Sequence, residues 1–181
     1  MKRILLPALL LVSLLLTGCG SRALKTRFTE FSDTLAARQT LRYEASIRAE
    51  YPDRRADFKL RYEKDAEGER VTVLEPALIA GLSARIAPGS DALVYDGMIL
   101  DAGPLDAFGL TPMSALPRLT EALCAGFLDS VWEEDGLTAA QLIPDDEQSV
   151  TVWFDGGMRP VRAELASGGE TRVFCEITDW S

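Results

Sequence analysis

The sequence contains no histidine. That removes the commonest general base, the usual switch near neutral pH and the commonest metal ligand. Cysteine is scarce, with three residues at Cys19, Cys124 and Cys175. Without an imidazole to activate them, Cys124 and Cys175 are poor nucleophiles. Positive charge is also in short supply: 19 lysines and arginines face 28 acids, a formal charge of −9. Such a chain repels phosphate backbones and anionic headgroups, which argues against nucleic acid and against electrostatic adhesion to a membrane. No serine sits in a glycine-serine-glycine elbow, and no glycine pair leads to the lysine of a phosphate loop. The acid runs Glu133-Glu134-Asp135 and Asp145-Asp146-Glu147 lack the alternate spacing of a calcium loop and read as solvated turns. The sequence therefore assigns no catalytic residue, no metal and no cofactor.

What is present is a globular composition, 47% hydrophobic, with one unusual beginning. Lys2 and Arg3 precede an almost wholly apolar stretch from Ile4 to Leu16, followed by small residues. This is the three-part layout of an export signal. The stretch spans about 20 Å as a helix, short of the roughly 30 Å hydrocarbon core. Leu16-Thr17-Gly18-Cys19 resembles the lipobox of bacterial lipoproteins. The resemblance implies cleavage before Cys19, an S-diacylglyceryl group on its sulfur and an N-acyl group, palmitate for example, on its amine. The expected organisation is a signal peptide over 1–18, a lipidated tether over 19–23 and a single domain over 24–181. Loss of Lys2 and Arg3 with the leader takes the charge from −9 to −11.

Leu24, Phe28, Phe31 and Leu35 recur at helical spacing, so a helix with one apolar face is expected after the tether. Core packing or recruitment of a partner would each use such a face. The period then changes to two. Leu41, Tyr43, Ala45, Ile47, Ala49 and Tyr51 alternate with polar residues, as do Phe58, Leu60 and Tyr62, then Val71 and Val73. Short turns between alternating strands predict an antiparallel meander. Glu75 to Gly81 reads as a helical turn, Leu82 to Ala87 as a strand ended by Pro88-Gly89, and Asp96-Gly97 as a two-residue hairpin turn. Ala102 to Met113 is an apolar loop carrying Phe108, either folded over the core edge or acting as a flap. A second helix is expected from about Ser114 to Ala125, with Pro117 near its first turn and Gly126 as its stop. Five further strands follow, over Phe127–Glu133, Leu137–Ile143, Val150–Phe154, Val161–Leu165 and Thr171–Thr178.

Two questions stay open at this level. Cys124 and Cys175 suit either a disulfide, closing a loop of about 50 residues and worth ~4 kcal/mol, or two buried thiols. The aromatic inner face suits either a sheet wholly covered by helices or a partly open concave surface able to receive acyl chains. Leu41, Tyr43, Ile47, Phe58, Leu60, Tyr62 and Phe108 are the candidate residues facing such a ligand.

The strand pair Leu41–Tyr51 and Phe58–Tyr62, with the stretch Val71 to Arg85, resembles in layout the LolA/LolB-like and LppX-like lipoprotein-carrier superfamily. The resemblance implies an α+β fold: a curved antiparallel sheet of about eleven strands forming an unclosed half-barrel, with an N-terminal and a central helix on its concave face. It also implies a noncatalytic role in binding or handing over a lipid or an acylated protein. An anchor favours a fixed receptor over a shuttle. The alternative is a structural or regulatory envelope protein that positions a partner without binding lipid. Gly20, not aspartate, follows Cys19. The expected location is therefore the outer membrane of a two-membrane bacterium, or the outer face of the cell membrane in a single-membrane one.

Overall fold

The computed structural model describes residues 19–87, 90–101, 110–168 and 171–181. The leader over 1–18, the Pro88-Gly89 turn, residues 102–109 with Phe108, and residues 169–170 lie outside these.

Eleven strands form one antiparallel sheet in the order β6-β5-β4-β3-β2-β1-β11-β10-β9-β8-β7. They are β1 Leu41–Glu50, β2 Arg55–Asp65, β3 Gly68–Glu75, β4 Ser83–Ala87, β5 Ser90–Tyr95, β6 Met98–Asp101, β7 Leu128–Glu134, β8 Leu137–Asp145, β9 Gln148–Phe154, β10 Pro160–Ser167 and β11 Thr171–Thr178. Every pairing but one joins strands adjacent in sequence, and the exception, β1 with β11, joins the two meanders at the centre. The sheet is unclosed, with β6 and β7 as its edges. Alternation sets the faces. Odd residues of β1 and even residues of β2 point inward and are largely buried, while Arg42, Glu44, Lys59 and Arg61 lie on the outer face. There Glu44 accepts from Arg61 Nη2 at 2.7 Å and lies 3.0 Å from Lys59 Nζ. Asp96 and Gly97, with φ of 48° and 78°, make the β5–β6 turn by adopting the left-handed conformation that a tight hairpin needs.

Helix α1, Cys19–Ala36, includes residues 19–23, so the stretch expected as a tether is helical. Its expected apolar stripe holds: Phe28 and Leu35 are buried, Leu24 and Phe31 half-buried. Helix α2, Pro112–Ala125, starts two residues earlier than its periodicity suggests. Thr111 caps it, with Ser114 N donating to Thr111 Oγ1 and Thr111 N to Ser114 Oγ, and Pro112 opens the first turn, where a proline costs nothing. Pro117 consequently falls in the second turn, where it forgoes an intrahelical bond. Burial of Leu116, Leu119 and Leu123 on the sheet offsets this, at roughly 1.5–3 kcal/mol per side chain. Gly126, left-handed at φ 67°, ends the helix as expected.

Candidate functional site: the concave face

The sheet curls around α2, which packs on β1, β2, β3, β8 and β10. A 14-residue helix is about 21 Å long, and strands lie ~4.8 Å apart. One helix therefore covers only part of an eleven-stranded face, and α1 packs on α2 and β7 rather than on the other wing.

The covered centre is closed. Leu41, Tyr43, Ile47, Leu60 and Tyr62 are each at most 3% exposed, so five of the seven candidate ligand-facing residues are core in this conformation. Phe58 is half-buried, and Phe108 lies outside the described residues. Trp180 completes the packing, 4.8 Å from the ring of Tyr43 and 6.5 Å from that of Phe31. The alternation that marks the last strand ends at Thr178, so periodicity alone does not reveal this tryptophan. The C-terminal tail is tied back by reciprocal backbone bonds between Arg42 and Ser181.

Among the described residues the less covered wing is the inner face of β5–β6 and the ends of β4, whose central Ala84 is fully buried. Register carries one inward row from Tyr43 through Tyr62, Val71 and Ala84 to Leu93, and the adjacent Tyr95–Met98 pair faces the same way. Leu82, Ile86 and Leu93 are only partly buried, and Tyr95 and Met98 are 42% and 62% exposed. Leu78 at 88%, Ile99 at 67%, Phe127 and Ile143 are also exposed. These six large apolar residues all sit toward the end of the sheet where β1 finishes. Helix α1 is held by Arg27 Nη2, which donates to Gly156 O at 3.0 Å, by Phe31 against Trp180, and by Ser32, which donates to Leu123 O near Gly126.

A small polar cluster lies between these regions. The Tyr43 hydroxyl lies 3.0 Å from Leu116 O, to which it can donate, and 2.9 Å from Thr120 Oγ1. The Tyr62 hydroxyl, fully buried, has no hydrogen-bond partner among the described residues. Thr120 and Glu69 stand beside it, close enough to act on its proton. Glu69 is half-buried, and burial pushes its carboxyl above the usual range despite nearby Lys64. Motif and composition pass over Glu69, although the period-two pattern Glu69-Val71-Val73 places it on the inner face. Cys124 and Cys175 are separate free thiols. Burial raises both, Cys175 to about 12.

Two further clefts mix polar and apolar groups. A groove of about 760 Å³ is lined by Arg48, Asp57, Lys59, Arg162 and Glu176 of the outer face, with Trp153, Ile47 and Phe58 among its neighbours. Arg162 covers the Trp153 ring at 4.0 Å, and Trp153 and Trp132 both donate to Glu134. A cleft of about 480 Å³ near the β2–β3 turn mixes Arg42, Arg70 and Arg85 with Glu63, Asp65 and Glu67. Among the described residues there is no group of three or more potential metal ligands, and no helix long and apolar enough to cross a membrane.

No family model matches the chain, and no curated protein sequence does. Solved structures do. A DUF1329 family protein from Desulfovibrio piger aligns at a TM-score of 0.50 and 10% identity, covering 88% of this chain and 92% of that one. The Mycobacterium tuberculosis lipoprotein LppX gives 0.47 at 14% identity, covering 88% and 95%. A LolA superfamily protein from Nitrosomonas europaea gives 0.44 at 15%, covering 86% and 92%. At these identities the likeness is one of fold. The layout expected from the sequence is that of the described residues: eleven antiparallel strands in one unclosed sheet with two helices.

Proposed function

We propose that this chain is a membrane-anchored extracytoplasmic lipoprotein that holds an acyl chain, from a lipid or an acylated protein, and hands it on without chemistry. The observation that supports this reading is the uneven covering of the concave face. The centre is filled by α2 and Trp180, while toward β5–β6, among the described residues, Leu82 and Leu93 are half-buried and Tyr95 and Met98 exposed. Exposed apolar surface of this kind is costly in water, and an acyl chain is its simplest complement.

Two measurements test this. In cells fed an alkyne-bearing fatty acid, the full chain is expected to acquire the label and Cys19→Ala to lack it while folding normally. Label on Cys19→Ala would place the anchor elsewhere. Photoactivatable lipids of the same membrane are expected to crosslink at Leu93, Tyr95 or Met98. A stable protein crosslink with no lipid adduct at this wing would replace acyl binding by the positioning of an envelope partner.

A further inference from the structure

Positive charge is scarce in this chain, yet it collects at one cleft. Between α1 and the turn that joins β9 to β10 lies a space of about 540 Å³. Arg27 on α1, Arg38 just past its end and Arg159 in the turn stand around it. Glu30 is the one acidic side chain among the residues that line it. The acid of the turn, Asp155, is already engaged: its Oδ1 accepts from Gly157 N at 2.8 Å and from Arg159 N at 2.9 Å. The Ser181 oxygen on the same rim accepts from Arg42 N at 3.0 Å. Arg38 and Arg159 are exposed, and their guanidiniums have no hydrogen bond, ion pair or ring contact among the described residues. Arg27 spends one donor on Gly156 O, out of the five that a guanidinium carries.

The lining between these cations is apolar. Phe31, Met158 and Trp180 are each half-buried, with the Phe31 and Trp180 rings 6.5 Å apart. The bonds to Asp155 set the shape of the turn, and Arg27 fastens the turn to α1. The cleft therefore stands formed before anything enters it, which lowers the ordering cost of binding.

We propose that this cleft is a second binding site, for an apolar monocarboxylate whose charge meets the arginines of the rim and whose body lies on Phe31, Met158 and Trp180. Guanidinium forks match a carboxylate in geometry as well as in charge. The apolar body displaces water from beside the ion pair and so strengthens it. Glu30 sets the limit to one negative charge, since a dianion would meet repulsion at the same rim. The site shares no residue with the β5–β6 wing and does not depend on the acyl-binding reading.

The test uses the full chain in phosphatidylcholine vesicles, with protein-free vesicles as the blank. Equilibrium dialysis follows naphthoate and its uncharged analogue naphthamide, which has nearly the same shape. Wild type is expected to bind naphthoate at least about tenfold more tightly than naphthamide, and less tightly as salt rises. Equal binding of the two, or no saturable naphthoate binding below about 1 mM, overturns the site. The double variant Arg38→Gln, Arg159→Gln is expected to weaken naphthoate binding about tenfold while keeping its naphthamide binding and its melting temperature, because neither guanidinium has a partner to lose. Unchanged naphthoate binding by that variant overturns the assignment. Tyr95→Ser, on the β5–β6 wing, is expected to bind both probes as wild type does. Loss of naphthoate there, and not in the arginine variant, places the probe on that wing and overturns the cleft as its site.

Discussion

Ser32 Oγ donates to the carbonyl of Leu123 at 2.7 Å and lies 3.4 Å from that of Cys124. One hydroxyl on α1 thus satisfies the final turn of α2, whose carbonyls have no partner within their own helix. Ser32 is buried, so water does not readily replace it. Ser32→Ala is expected to cost about 1–2 kcal/mol. Urea unfolding should show a lower midpoint with an unchanged slope. An unchanged midpoint would mean that α1 is held to α2 by apolar contact alone.

Gly126 lies at the same joint. Its φ of 67° is left-handed, and a Cβ built there comes 3.2 Å from Ser32 Oγ. Gly126→Ala carries two penalties: roughly 1 kcal/mol for the conformation and displacement of the Ser32 hydroxyl. The second disappears when Ser32 is already alanine. The double variant should therefore lose less stability than the sum of the singles. Strict additivity would show that the serine moves aside without cost.

The two free thiols should differ in access. Cys175 is fully buried among inward residues of β11, and burial pushes its thiol up to about 12. Cys124 is partly exposed, with a thiol also raised by burial. In the native protein at pH 8, iodoacetamide is expected to label Cys124 slowly and Cys175 only after unfolding. Mass spectrometry without reductant should find both free. Labelling of either residue only after reduction would establish a Cys124–Cys175 disulfide.

Much of the strand architecture was legible because one face of each strand is dry. Leu41 to Tyr51 alternates without interruption, and β1 ends one residue from that pattern. The helix starts were less legible. Cys19 to Ala23 has no apolar period, and the start of α2 depends on a reciprocal Thr111–Ser114 cap, a local hydrogen-bonding event rather than a pattern. The site was legible in part for the same reason. Periodicity says that Tyr43 and Tyr62 point inward. It does not say that a helix of 14 residues closes over them and stops short of Tyr95, or which tyrosine wins Thr120. Those outcomes depend on tertiary reach, and no residue spacing encodes them.

Two glutamates should give the stability profile opposing slopes. On the outer face, hydrogen bonds from Arg61 and then Lys59 hold the Glu44 carboxyl below its usual value. Its contribution is present above the unfolded value of about 4.3 and is lost as pH falls through the lower folded value. Glu69 runs the other way, because burial raises its carboxyl. The folded state keeps that proton more tightly than the unfolded chain does. Its favourable contribution is full below about pH 4.3 and disappears as pH rises through the raised folded value. Glu44→Gln is therefore expected to lower the melting temperature near neutrality and to flatten the acid limb. Glu69→Gln should raise it near neutrality, by removing a half-buried charge, and change little at pH 4. Melting curves from pH 3.5 to 7.5 on both variants separate the two carboxyls. A Glu69→Gln protein less stable than wild type at pH 7 would mean that Lys64 repays the burial of that carboxylate in full.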